Sequence, residues 1–319
     1  MMSPLPFAVV LFNMVGACTG STNLDSDIYA AKFAPNQQLK NPTVMAWTAS
    51  PFGFWGGKFN QTALDAFVHK LRPAKSFVDI ISIVSYALHD PSKLEKNQTG
   101  LDLLENGNIV IEALQRDGWR VEPLIGDYYN QHHIEWYRKY LRSEVFLNAV
   151  VSEVIERNLD GINFDFEPND CKTTMPPCSA NDATLFADFL TKIKSVLTMR
   201  GLAHVRVSVD TGQSPLTNTL QLSNSSADAL ITMNTYYDLN SFKIALKRDF
   251  ARDGVNRFGL GIMPSYTKNA SDVNDRFDLA IATGVREVDI WAGVEYPQVW
   301  VNGIKRWKAA MSNKLASGL

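Results

Sequence analysis

The sequence predicts an α/β fold, a (β/α)8 TIM barrel forming a single domain with no large insertion after its seventh strand. Three observations carry that expectation. From Asn41 onward, short apolar runs rich in β-branched residues alternate with longer stretches of helical periodicity almost to the end of the 319 residues. Eight such runs can be counted. No linker, low-complexity tract or repeat of fixed period divides the chain, and barrels commonly reach this length undivided.

In order, the runs are Thr43 to Ala49, Val78 to Ala87, Val121 to Asp127, Gly161 to Glu167, Val205 to Asp210, Ala229 to Tyr237, Phe258 to Pro264 and Glu287 to Trp291. Near-continuous apolar strands suit a parallel sheet buried on both faces, and right-handed crossovers close eight strand–helix units into a ring. Between the runs, Ile134 to Arg157 and Ala183 to Met199 show apolar residues at helical spacing, the second preceded by the capping candidates Ser179 and Asn181. The connection from Ser265 to Arg286 has room for one helix, so no inserted domain walls a substrate groove, and the barrel domain spans residues 41–316.

The composition is that of a soluble globular chain, and a formal charge of -2 with interspersed signs leaves no polybasic stripe for nucleic acid or an anionic membrane surface. Seven Trp and ten Tyr suit a groove that stacks sugar rings and suit an ordinary core equally well. Residues 1–20 read as a signal peptide, with an apolar run from Leu5 to Ala17 too short to span a bilayer. An ordinary buried N-terminal segment and a lipoprotein box at Val15-Gly16-Ala17-Cys18 are the alternatives. Against the lipoprotein stand four glycosylation sequons, at Asn60, Asn97, Asn224 and Asn269, pointing to a secreted or endo-lysosomal protein. Cys171 and Cys178 bracket a short loop and read as a disulfide. No further Cys or His lies near them to complete a metal site, and His132-His133 reads as the start of a helix, so neither metal nor cofactor is expected. A nucleophile elbow, a dinucleotide fingerprint and a phosphate-binding loop are all missing from the sequence.

The fourth run, Leu159-Asp160-Gly161-Ile162-Asn163-Phe164-Asp165-Phe166-Glu167-Pro168, alternates apolar with polar residues. On a strand, Asn163, Asp165 and Glu167 share one face, and Ile162, Phe164 and Phe166 pack outward against helices. A central barrel strand has no solvated face, so the polar set lies inside, rising to the catalytic mouth. Two carboxylates about 7 Å apart along a strand repel, and desolvation raises their pKa, so a proton is retained for general-acid work.

These residues resemble the Asp-x-x-Asp-x-Asp-x-Glu strand of glycoside hydrolase family 18, matched as Asp160-x-x-Asn163-x-Asp165-x-Glu167. The Gly118-to-Gly126 approach to strand three, a Tyr-bearing strand six and a Trp ending strand eight fall in the same order. The resemblance implies a chitinase or endo-β-N-acetylglucosaminidase acting on β-linked N-acetylglucosamine in chitin-type oligosaccharides or the chitobiose core of N-glycans. It implies Glu167 as general acid/base and Asp165 as the residue that orients the 2-acetamido group, whose oxygen attacks the anomeric carbon with net retention. Trp291 would floor the sugar site, with Asp160, Met233 and Asp238 as further substrate-binding positions. The protein would act as a monomer without a membrane span.

Two departures from the family pattern matter. Asn163 stands where the commonest signature has Asp; it cannot share a proton with Asp165, though it can donate a hydrogen bond. In Met233-Asn234-Thr235-Tyr236-Tyr237-Asp238 one residue is extra: strand alternation selects Tyr237 as the residue that meets the acetamido oxygen, whereas a bulge selects Tyr236. Phe52, Phe54 and Trp55, after strand one, could stack sugars or pack under their loop. A chitin-binding lectin on the same barrel is the alternative from another class, and a non-sugar barrel enzyme using Glu167 as a base is a third.

Overall fold

The apolar runs form strands that pair edge to edge until the sheet meets itself. The computed structural model describes residues 41–317 except 55, 92–93, 95–97, 128–132, 169, 172–175, 213, 218, 255 and 268. The segment read as a signal peptide, Cys18, Trp55, the sequon at Asn97 and His132 lie outside the described residues. The strands are β1 (Thr43–Thr48), β2 (Ile80–Leu88), β3 (Leu101–Leu103), β4 (Arg120–Val121), β5 (Leu124–Asp127), β6 (Gly161–Phe164), β7 (Arg206–Thr211), β8 (Ala229–Thr232), β9 (Phe258–Ile262) and β10 (Glu287–Trp291). All pair in parallel except β3, which adds an antiparallel edge to β2. β1 pairs with both β2 and β10, which closes the ring, and β4 with β5 occupies one place in it, so eight strand positions form a (β/α)8 barrel. Pro123 splits the single strand expected from Val121 to Asp127, because a prolyl nitrogen has no hydrogen to give the ladder.

The helices are α1 (Gln61–Leu71), α2 (Gly107–Arg116), α3 (Ile134–Tyr140), α4 (Glu144–Glu156), α5 (Ala180–Met199), α6 (Thr219–Leu222), α7 (Leu239–Asp253), α8 (Ala270–Thr283) and α9 (Gln298–Ala316). The helix expected from Ile134 to Arg157 is two, since the Ser143 hydroxyl accepts from the Phe146 amide at 3.2 Å and starts a new helix there. α5 begins three residues before the expected Ala183, capped by Ser179 in a reciprocal box with Asp182. One helix, α8, fills the connection after the seventh barrel strand, as expected. Among the described residues no helix is long and apolar enough to cross a membrane.

Two apolar cores result. The larger lies between barrel and helices, and the smaller, with Met45, Trp47, Ile80, Val84, Leu124 and Ile231, lies inside the barrel. Beneath the inner core, Arg206 is clasped by Glu122 and Glu287, all buried. Gly161 makes room for that cluster: a Cβ there would come within 2.7 Å of the Glu122 carboxyl carbon and of the Arg206 carbonyl. Buried ions need such mutual pairing to repay lost hydration. The cluster closes the barrel's N-terminal end and leaves the C-terminal mouth as the open end.

Candidate active site

The fourth barrel strand sets the floor. Phe164 and Phe166 are fully buried on its outer side, Phe164 edge-on to Phe186 and Phe189 of α5 and Phe166 stacked on Phe186 at 5.2 Å. Burying each ring stabilises the fold by roughly 1.5–3 kcal/mol, and a one-residue slip would turn both rings into the barrel. The opposite parity therefore points Asn163, Asp165 and Glu167 inward. Their exposure rises along the strand: Asn163 is buried, Asp165 half-buried and Glu167 exposed at the mouth. Desolvation, expected from the sequence to fall on the motif carboxylates, thus does not fall on Glu167.

It falls on Asp210 of β7, 2% exposed. β6 and β7 run in register with Asn163 opposite Ser208, so Asp210 stands one step above, level with Asp165 on the neighbouring strand. The Asn163 side chain is held at both ends. Its Oδ1 accepts from the Trp47 indole at 3.2 Å, and its Nδ2 donates to Ser208 Oγ and to Asp210 Oδ1, each at 3.1 Å. Because an indole nitrogen only donates, the amide has one chemically acceptable orientation, with NH2 towards Asp210. Burial pushes the Asp210 carboxyl well above the usual carboxylate range, and the charge of Glu167 pushes it further, against the Asn163 hydrogen bond and Arg206. Ser208, 3.4 Å from Glu122, links this network to the ion cluster below.

Opposite, β8 ends at Thr232 and Met233–Thr235 form a 3-10 turn, which absorbs the extra residue of the strand-six motif. Arg276 of α8 fixes the turn, donating from Nη1 to the Thr235 carbonyl at 3.1 Å and from Nη2 to the Tyr237 carbonyl at 2.5 Å. Tyr236, between those carbonyls, is turned to the carboxylates. Burial raises its phenol, as do the charges of Asp210, Asp165, Glu167 and Asp289, which keeps it a hydrogen-bond donor. Tyr237 is 42% exposed and stands edge-on to Tyr266 at 5.5 Å, on the rim. Trp291, half-buried at the end of β10, lies 6.2 Å from Trp47 and 6.3 Å from Phe54, an aromatic patch beside the polar network. Phe52 instead packs on Phe59 and the outer core.

Other residues singled out in the sequence stand elsewhere. Asp160 precedes β6 at the end of the barrel opposite the mouth, its Oδ2 accepting from the Val121 amide at 3.0 Å, so its carboxyl ties strands together. Asp238 caps α7, accepting from the Asn240 and Ser241 amides and the Ser241 hydroxyl, bonds that hold its carboxyl below the usual range. Met233 is half-buried with its methyl near Gly212 at the end of β7. Cys171 and Cys178 form a disulfide, with Cα atoms 4.7 Å apart, on the loop following the motif strand. Among the described residues no group of three or more His, Cys, Asp or Glu could hold a metal ion. Sequence reasoning missed Trp47, Ser208, Asp210 and Asp289. The polar residues at every second place of Arg206-Val-Ser-Val-Asp210 were the available signal for two of them.

In sequence the chain matches no protein-family model and no curated protein. In structure it is similar to a chitinase from Chromobacterium violaceum, at 14% identity over 84% of this chain and 99% of that one, with a TM-score of 0.61. It is similar to the Ostrinia furnacalis Group IV chitinase solved in complex with allosamidin, at 10% identity over 87% of this chain and 100% of that one, with a TM-score of 0.58. It is also similar to the chitinase-like agglutinin of Robinia pseudoacacia, at 11% identity over 83% of this chain and 99% of that one, with a TM-score of 0.60. At these identities the likeness is one of fold: the chain shares the (β/α)8 barrel of these proteins.

Proposed function

We propose that the protein is a retaining glycosidase that cleaves β-linked N-acetylglucosamine, in chitin-type oligosaccharides or in the N-glycan core. The observation that carries this is the inward row Asn163, Asp165, Glu167, which climbs from a buried anchor to an open mouth facing Tyr236 and flanked by Trp291. The sugar bound at the mouth covers Glu167, and the acid's proton passes to the glycosidic oxygen as the bond to the anomeric carbon breaks. The substrate's own acetamido oxygen forms the new bond to that carbon, with Asp165 accepting the acetamido N–H and the Tyr236 hydroxyl donating to its oxygen. Water then opens the intermediate and returns a proton to Glu167. Trp291 offers its ring to the face of the sugar. The single helix after the seventh strand supports an open cleft and endo cleavage. The disulfide, and the exposed sequon asparagines Asn60, Asn224 and Asn269, support a secreted or endo-lysosomal location.

The test is hydrolysis of a fluorogenic N-acetylchitooligosaccharide and of an N-glycan by the wild type and Glu167→Gln. Cleavage lost in the variant supports the reading and names the substrate. Chitin binding without cleavage by the wild type would replace it with a lectin on this barrel, the kind of protein the Robinia agglutinin is described as.

A further inference from the structure

Asp210 is a buried acid that the motif does not include, and the proposed reaction gives it no contact with substrate. Three observations bear on what it does. Its carboxyl is the endpoint of the bonds that orient Asn163, with the Trp47 indole at one end of the amide and Asp210 Oδ1 at the other. By strand register it is the lateral neighbour of Asp165, both side chains facing the barrel interior. The charges around it are predominantly negative: Glu167 acts on it directly, and Asp210, Asp165, Glu167 and Asp289 all act on Tyr236 across the mouth. Among the described residues the cation that acts on it, Arg206, lies four residues down the same strand and is already clasped by Glu122 and Glu287.

We propose that Asp210 is a positioning residue of the reaction: from the neighbouring strand its carboxyl orients the Asn163 amide and stands beside Asp165 in place of the acid that the motif strand lacks at position 163. This rests on the glycosidase reading of the site. A neutral carboxyl still accepts the Asn163 hydrogen bond through one oxygen, so the amide stays oriented. It adds no second charge beside Asp165, so Asp165 remains a carboxylate able to accept the acetamido N–H. An ionised Asp210 would set two like charges side by side on adjacent strands, where they repel. The pattern is a relocation: the acidic group missing from the middle of the motif strand is found one strand over and one step up, joined to its substitute by a hydrogen bond.

The experiment combines side-chain carboxyl 13C titration by NMR with pH profiles of hydrolysis for the wild type, Asp210→Asn, Asp210→Leu and the exchange Asn163→Asp/Asp210→Asn. The inference expects the Asp210 carboxyl to be protonated at neutral pH in the wild type. Asp210→Asn, an uncharged near-isostere, retains much more of kcat at neutral pH than Asp210→Leu does and extends activity to higher pH. Asp210→Leu, which cannot accept from Asn163, loses kcat by about tenfold or more with KM little changed. The exchange variant, which restores one acid and one amide in reversed places, recovers most of the rate. An Asp210 that is ionised at neutral pH, or an Asp210→Asn variant as impaired as Asp210→Leu, overturns it. The wild-type titration is read without catalysis and needs no variant to fold. Absence of hydrolysis with a protonated Asp210 therefore removes the glycosidase reading, whereas hydrolysis with an ionised Asp210 removes only this one.

Discussion

Asp253, the last residue of α7, offers the sharpest test of the electrostatics, because replacing it with Asn should make the protein more stable in a pH-dependent way. The carboxyl is buried one turn beyond Asp249, and neither of its oxygens has a hydrogen-bond partner among the described residues. A negative charge at a helix C-terminus is also opposed by the backbone dipole. Burial, then the charge of Asp249, push the carboxyl from 3.8 up to about 8, against the weaker pull of Arg257 and Arg252. As pH rises above about 4 the unfolded chain releases this proton and the folded chain keeps it, so folding is penalised progressively until about pH 8, where both are ionised. About four pH units at ~1.4 kcal/mol each set a ceiling of about 6 kcal/mol. Local rearrangement and water penetration reduce it, so a gain of about 2–4 kcal/mol at pH 8 is expected for Asp253→Asn. Urea unfolding of both proteins at several pH values between about 4 and 8 reads the difference directly. A difference that stays constant across that range, or a variant less stable than wild type at the alkaline end, refutes the reasoning.

The tyrosines and the barrel floor give two more tests. Tyr236→Phe should lower kcat on an N-acetylated substrate on the order of a hundredfold, the usual cost of deleting a donor to developing charge, whereas Tyr237→Phe should change it by less than about threefold. The reverse ranking in steady-state kinetics would place the rim tyrosine in the site instead. Gly161→Ala should destabilise the fold by about 2–3 kcal/mol, since the new methyl collides with Glu122 and with the Arg206 carbonyl. An unfolding midpoint equal to wild type would show that the ion cluster yields without cost.

Much of the barrel is written locally in the chain. Each strand shows itself by β-branched apolar runs, and the motif strand by alternation, because side-chain parity is a property of the backbone and needs no partner. Caps are local too, so Ser179 is recognisable from its neighbours. The break at Ser143 is less so: the apolar spacing of Ile134 to Arg157 continues through it, and only the docking of two helices reveals it. The choice between Tyr236 and Tyr237 could not be made from the motif, because it depends on a 3-10 turn held by Arg276 from a helix 40 residues further on.

Asp160 and Asp238 show what tertiary position adds to a motif. Both carry an acid where the family pattern invites a sugar contact, and both spend it on backbone amides. Short acidic side chains at the ends of strands and helices do this readily, and only position along the barrel axis separates them from Asp165 and Glu167.

The sequence by itself determined the ring of eight units, the inward face of the motif strand and the identity of its acids, all of which follow from periodicities over a few residues. The tertiary structure decided which side chains meet inside the ring. Trp47 and Asn163 are 116 residues apart and Asn163 and Asp210 are 47 apart, and their contacts exist only because barrel closure and strand register bring those positions to one height. The same closure leaves Glu167 at the open mouth and Asp210 in the interior, so exposure is decided by distance from the mouth and not by residue type.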